Sequence, residues 1–242
     1  PKTDLDHTLR YGYVYEGTLR EQRHRTTPAN RIDTHSLVYS IQNHDFIGNH
    51  PLGVRLHQLT SDDAHRAAAA LMLLVPAIPM LFMGEEFACE NPFRFFVDFS
   101  DQQLCDAVVE GRRREYPQHD WDGGVLPTNP AAFSSAKIGD RADGNATTLH
   151  WYRRLIELRK RYRANGLLTD ANLRVETDLE KSLYLLRYAD GGETLTVAVR
   201  LSPLSAPDDA IELEIEGDLI LDSRDDRGGK GLHSNHALVY RR

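Results

Sequence analysis

An amide, an imidazole and a carboxylate stand in a row at Asn43, His44 and Asp45. They follow an apolar run, Leu37-Val38-Tyr39-Ser40-Ile41, and precede Phe46-Ile47-Gly48-Asn49. Side chains of these three types can hydrogen-bond neighbouring hydroxyls of a polyol. A carboxylate among them can also stabilise positive charge that develops on a sugar ring. A bare Asn-His-Asp is by itself a common turn on a solvated surface. Here a second stretch of the same form follows: Pro79-Met80-Leu81-Phe82-Met83 is apolar and runs into Gly84, Glu85 and Glu86.

Two such stretches need elements to position them. Between them, Ser61-Asp62-Asp63 supplies an N-cap with acids in the first turn, and residues 67–74 are helix formers throughout. Strand, helix, strand with polar residues at both strand ends predicts one βαβ unit. In parallel α/β sheets the carboxyl ends of strands are where chemistry is placed. Glu85 and Glu86 could form an acid/base pair. Adjacent residues at a strand end point in opposite directions, which favours a structural or subsite-lining role.

The chain has 242 residues, 40% hydrophobic and 27% charged, which suits one large or two medium globular domains. A net charge of -7 disfavours a nucleic-acid partner, whose phosphates require a basic face. Cys89 and Cys105 are too few for a disulfide framework and lack zinc spacing, so a reducing cytoplasm fits best. Residues 1–10 are polar and show no signal peptide. The apolar run at 67–83 carries Pro76 and Pro79, and predicts a buried helix turning into a buried strand rather than a membrane span.

Residues 1–33 are charged and irregular, and residues 20–31 suggest a loop. Residues 93–97 form a short apolar run. Ser100-Asp101 caps a helix to about residue 116, with Leu104, Ala107 and Val108 on one face. Arg112, Arg113 and Arg114 at its end suit the helix dipole better than a nucleic-acid patch. Residues 119–143 are a long Gly/Pro/Asp-rich connector, of a length usually functional or held from outside. Residues 147–163 predict an amphipathic helix with Leu149, Tyr152, Leu155, Ile156 and Leu158 as its stripe. From residue 168 the period becomes two. Residues 182–188 and 194–201 flank Asp190-Gly191-Gly192 as a hairpin, and further strands lie at 211–215, 219–221 and 237–240. This predicts an antiparallel sheet domain with one wet face. His233 and His236 have metal-like spacing only on a helix, and they border a loop. Trp151 fits a helix stripe, whereas Trp121, in the connector, is the better candidate to stack on sugar.

Three groups of residues carry a family resemblance. Gln42-Asn43-His44-Asp45 with Ile47-Gly48-Asn49 resembles the motif ending the seventh barrel strand of the α-amylase family of glycoside hydrolases. Leu81-Phe82-Met83-Gly84-Glu85-Glu86 resembles the end of the eighth. Phe95-Phe96-Val97-Asp98-Phe99, the run from Ala107 to Tyr116, and the run from Asn129 to Lys137 resemble the trehalose-releasing branch of that family. Glycogen branching enzyme is the nearer alternative. The resemblance covers residues 9–165 well and the sheet domain in outline.

The resemblance implies α/β plus all-β architecture. Residues 1–165 would be the C-terminal part of a (β/α)8 TIM barrel, holding its last two strands. Residues 166–242 would be an antiparallel β-sheet or sandwich domain. It implies that Asp45 is the transition-state stabiliser and that His44 binds the same sugar, with Asn43, Phe46, Asn49 and Glu86 lining the site. The implied substrate is maltooligosyl trehalose or a related α-glucan, cleaved with retention and without metal or organic cofactor. The family's nucleophile Asp and acid Glu lie on earlier strands, and no segment here matches them. The chain alone is therefore expected to be inactive, and a non-catalytic glucan-binding or regulatory fragment is the alternative of another class. A partial barrel would expose strand edges, so pairing with an N-terminal half-barrel or self-association is expected. Two positions depart from the family. Phe46 replaces a Gln and would either stack on sugar or pack in the core, and His50 replaces an Arg of the subfamily.

Overall fold

The computed structural model describes residues 2–14, 33–121, 123–224 and 231–242. The loop expected at 20–31 and the middle of the 222–231 connection lie outside these. The chain divides into two compact units. One comprises Pro1–Tyr39, Asp63–Met80 and His150–Arg242, and the other Ser40–Asp62 and Leu81–Leu149.

In the first unit, β1 (Val38–Tyr39) and β2 (Ile78–Pro79) pair in parallel, Val38 opposite Ile78. The connection between them includes the expected helix, α4 (Asp62–Leu74), as a parallel crossover requires. Parallel strands are ordinarily covered on both faces, yet Val38 and Ile78 are 58% and 50% exposed. Among the described residues each strand has one neighbour, which explains why both are shorter than their apolar runs.

α4 is buried along most of its length from His65 to Leu74. The last carbonyls of a helix lack intrahelical partners and need other donors when buried. Arg159 supplies them, donating to the carbonyls of Leu73 at 2.8 Å and Val75 at 2.6 Å, while the Tyr188 hydroxyl donates to Leu74 at 2.7 Å. Arg159 lies on α7 (Ala146–Ala164), which follows the amphipathic prediction. Its buried stripe includes Trp151, Tyr152, Leu155 and Tyr162, and Trp151 Nε1 donates to the Arg66 carbonyl at 2.9 Å.

The N-terminal region departs from expectation, because α1 (Lys2–Tyr11) is a helix. Its sequence is too polar to signal one, and tertiary bonds stabilise it. Arg10 pairs with Asp6 one turn away at 2.7 Å and donates to the Val175 carbonyl at 2.7 Å. Val175 lies on β3 (Leu173–Asp178), the edge strand of the sheet.

The sheet continues with β4 (Leu183–Asp190), β5 (Glu193–Arg200), β7 (Asp218–Asp222) and β9 (His236–Arg241) in the order β3-β4-β5-β9-β7, antiparallel throughout. The predicted hairpin is present. Gly191 and Gly192 turn between β4 and β5 with φ of +54° and +91°, the left-handed pair that a two-residue hairpin loop demands. The expected wet face is absent from the middle of the sheet, where successive residues of β4 and β5 are buried. Ile211, Leu213 and Ile215 pack on Leu183, Leu185, Ala198 and Leu238, covering the second face. Only Ile211–Glu212 of that segment forms a strand, β6, paired with β8 (Gly231–Leu232).

The second unit contains α2 (His44–Gly48), α3 (Leu56–Leu59), α5 (Gln102–Glu115) and α6 (Pro130–Ser135). Asp101 caps α5 as predicted, accepting from the Gln103 N–H at 2.8 Å. The long connector is partly ordered by α6, with Asn129 as its cap and Pro130 in its first turn. It is held by the 91–97 segment, which forms no strand. Val97 N–H donates to the Pro127 carbonyl at 2.9 Å, Asn91 to the Lys137 carbonyl at 2.8 Å, and the rings of Phe96 and Phe133 meet edge-on at 5.0 Å.

No helix of the described residues is long and apolar enough to cross a membrane.

Candidate active site

Asn43, His44 and Asp45 form the beginning of a helix. Asn43 is extended, and its side-chain oxygen accepts from the N–H groups of Asp45 at 3.0 Å and Phe46 at 3.1 Å. That bond pair fixes α2 at its N-terminus and spends the Asn43 carbonyl on the backbone. Ile47 is the buried anchor of the helix. The remaining side chains point outward: His44 and Asp45 are 57% and 68% exposed, with His44 Nε2 3.3 Å from Asp45 Oδ1. Phe46, 76% exposed, does not pack in the core. The turn thus presents an imidazole, a carboxylate and a ring to solvent, groups suited to hydroxyls and to the apolar face of a sugar.

A file of aromatic rings supports this turn. The His44 ring lies 6.1 Å from Phe95 in edge geometry, Phe95 lies 5.7 Å from Phe93, and Phe93 lies 5.2 Å from Phe82. Gly48 lets α2 lie against Phe95, since a Cβ there would stand 2.7 Å from the ring. Over Phe95, at 4.7 Å from its centre, sits the guanidinium of Arg112, which also donates to Asn49 Oδ1. Asn49 is the C-cap of α2, so its side-chain oxygen is engaged with protein.

The second predicted stretch bends at Gly84, whose φ of +80° favours glycine and whose absent Cβ would lie 2.8 Å from Cys89 Cβ. Glu85 and Glu86 then enter a 3-10 turn, Glu85–Phe87, rather than a strand end. They still part company. Glu85 is buried and accepts from the Phe82 N–H at 3.4 Å, whereas Glu86 is partly exposed, 3.8 Å from Arg141 Nη2. Among the described residues, no hydrogen bond or ion pair joins Glu86 directly to α2.

The link between the two stretches is Arg55, which no spacing in the sequence singled out. It is 1% exposed. Its Nη1 donates to the Met83 carbonyl at 2.8 Å and its Nε to the Asn91 carbonyl at 2.7 Å. The next N–H, of Leu56, donates to Gln42 Oε1 at 3.1 Å. Gln42, one position before Asn43, and Met83, three positions before Glu86, are therefore tied through one dipeptide. Burial pushes the Arg55 guanidinium below its ordinary pKa, and the nearby carboxylates of Glu85 and Glu86 offset part of that shift.

Arg112 also escaped the sequence reading, which assigned it to the helix dipole. A signal existed: Cys105, Val108 and Arg112 recur at helical spacing and form the half-buried face of α5, while Arg114 is exposed. His50 accepts from the Leu52 N–H through Nδ1 at 3.2 Å and lies 5.1 Å from the His119 ring. Burial and then His119 push its pKa down, so it does not substitute for the constant charge of an Arg. Trp121 Nε1 is engaged with the Tyr116 carbonyl at 3.0 Å, and Trp151 is buried as expected.

In the first unit, Asp33, His35 and Asp170 bring one ligand atom each within 4.8 Å, a group of metal-ligating type. Its atoms are already engaged by protein: Thr34 donates to Asp170 through its N–H at 3.0 Å, and Arg163 lies 2.6 Å from His35 Nε2.

No family model matches the sequence. The chain is 39% identical over 166 residues to a malto-oligosyltrehalose trehalohydrolase of Saccharolobus solfataricus, covering 68% of this chain and 28% of the relative. It is 32% identical over 231 residues to the enzyme of that name from Arthrobacter ramosus, covering 92% of this chain and 38% of the relative. A crystal structure of a candidate alpha amylase from Salmonella typhimurium superposes with a TM-score of 0.81 at 27% identity, covering all of this chain and 41% of that one. The chain belongs to the α-amylase family of glycoside hydrolases. Within that family its sequence relatives are malto-oligosyltrehalose trehalohydrolases. It spans between 28% and 38% of the length of those two relatives.

Proposed function

We propose that this chain is the C-terminal portion of a cytoplasmic, trehalose-releasing glycoside hydrolase. Residues 1–165 contribute the last two strands of a (β/α)8 barrel and residues 166–242 the β domain. The protein hydrolyses the α-1,4 bond beside the trehalosyl end of maltooligosyl trehalose. Asp45 stabilises the oxocarbenium-like transition state and His44 binds the same sugar. Phe46 offers a stacking face, and Glu86 with the amides of Asn43 and Asn49 borders the site. The observation that carries this reading is the outward pair His44–Asp45 on a capped turn, in a chain whose sequence is similar to trehalohydrolases.

A retaining mechanism needs two carboxylates about 5 Å apart, one as nucleophile and one as acid. Neither role falls to Asp45, and no segment of this sequence matches the family motifs that carry them, so this reading assigns both to residues outside it. The exposure of Val38 and Ile78 on a two-stranded parallel pair supports the same view, because such strands require neighbours. An N-terminal half-barrel would provide them.

Product analysis tests the proposal. Full-length protein incubated with maltooligosyl trehalose should release free trehalose, and the isolated 242-residue chain should release none. A branched glucan in place of trehalose would assign the protein to glucan transfer. Turnover by the isolated chain, abolished by Asp45→Asn, would refute the division of labour.

A further inference from the structure

We infer that Arg112 is a positioning residue that holds the His44–Asp45 turn from its C-terminal side. The inference rests on the proposed function for what that turn does, and on geometry for the rest.

A helix as short as α2, His44–Gly48, cannot maintain its own direction in water. Its orientation is imposed by contacts at both ends. At the N-terminus Asn43 supplies the cap, and in the middle Ile47 is buried. At the C-terminus Arg112 makes contact through two different properties of one guanidinium. An N–H donates to the side-chain oxygen of the C-cap residue Asn49. The same guanidinium lies over the Phe95 ring, 4.7 Å from its centre. Phe95 in turn meets Gly48 so closely that a Cβ would not fit, and its ring lies against His44. Arg112 therefore touches both the end of the helix and the ring on which the helix lies.

This double role needs arginine. A lysine is a point cation that can bond Asn49 or sit on Phe95, whereas the planar fork does both at once. Arg114, two residues on and exposed, has no such place. A carboxylate that acts on transition-state charge loses its effect when displaced by a fraction of an ångström to an ångström, and such displacements cost up to about 100-fold in rate. Ground-state binding, spread over many sugar hydroxyls, changes less.

The test is steady-state hydrolysis of maltooligosyl trehalose by full-length wild type, Arg112→Ala, Arg112→Lys, Arg114→Ala and Asp45→Asn, with Tm measured on each. Arg112→Ala should lower kcat by about 10- to 100-fold with KM changed less than about threefold. Arg112→Lys should recover part of the loss, and Arg114→Ala should match wild type. Wild-type kcat in Arg112→Ala overturns the inference. If Arg112→Ala does not fold, Arg112→Lys decides: wild-type kcat overturns, a several-fold lower kcat at unchanged KM supports. Loss of turnover in Asp45→Asn with none in Arg112→Ala refutes the inference alone. Retention of turnover in Asp45→Asn refutes the proposed function and the inference with it.

Discussion

Arg55 Nη1 stands 2.8 Å from the carbonyl oxygen of Met83 and donates to it, from a position almost sealed from water. Burying a cation is costly unless its donors are used, and here a second donor reaches the Asn91 carbonyl. The residue acts as a strut between the loop ending in Glu85–Glu86 and the turn that begins at Gln42.

Replacing this strut should therefore be felt in stability. Arg55→Met leaves the Met83 and Asn91 carbonyls and the Glu85 carboxylate without their cation. The expected loss is about 3 kcal/mol in urea unfolding, since orphaned buried partners cost more than the net worth of a bond. A loss below about 1 kcal/mol would mean that other donors reach these groups.

The cap on α2 gives a finer prediction. Asn43→Ala removes the acceptor of two N–H groups and should cost about 1 kcal/mol, with a fall in kcat as Asp45 loses its placement. Asn43→Ser keeps a capping oxygen and should restore most of both. Equal kcat in the two variants would detach the cap from function.

Two glycines in the second unit should respond to alanine to different degrees. Gly53 has φ +61°, and a Cβ there would lie 2.4 Å from the Phe93 carbonyl oxygen, which is backbone and cannot step aside. Gly123 faces open space. Gly53→Ala should destabilise by more than about 1 kcal/mol and Gly123→Ala by less than about 0.5, measured by thermal unfolding.

These contrasts mark where the sequence was legible. Ser61-Asp62-Asp63 and Ser100-Asp101 placed the starts of α4 and α5, because capping is local chemistry. Asp190-Gly191-Gly192 placed the hairpin for the same reason. Local signals failed where distant contacts decide. α1 is stabilised by bonds to β3, and the second face of the sheet is covered by Ile211, Leu213 and Ile215 from an irregular segment. In the candidate site the His44–Asp45 turn was visible as a motif, whereas Arg55 and Arg112 act through carbonyls and rings that lie between 17 and 63 residues away in sequence. No spacing rule reaches that far.

The acid limb of stability has a named contributor. Burial raises the Asp222 pKa, but the hydrogen bond from His236 Nε2 at 2.6 Å and Arg224 outweigh it, leaving the pKa below its ordinary value. His236 Nδ1 accepts from the His233 N–H at 3.2 Å. A carboxylate depressed on folding contributes stability that is complete above its unfolded pKa of about 3.9 and is lost as pH falls through the folded value. Stability should thus decline below about pH 4, and Asp222→Asn should flatten that decline. An unchanged acid slope in the variant would remove Asp222 from the account.

The most direct test of the central claim is Asp45→Asn in the full-length protein, assayed for trehalose release from maltooligosyl trehalose. The substitution keeps shape and removes charge. Loss of transition-state stabilisation predicts a fall in kcat of about 100-fold or more with Tm unchanged. A kcat within a few-fold of wild type would show that the carboxylate at the head of α2 does not act on the sugar cation, and the account would fail at its centre.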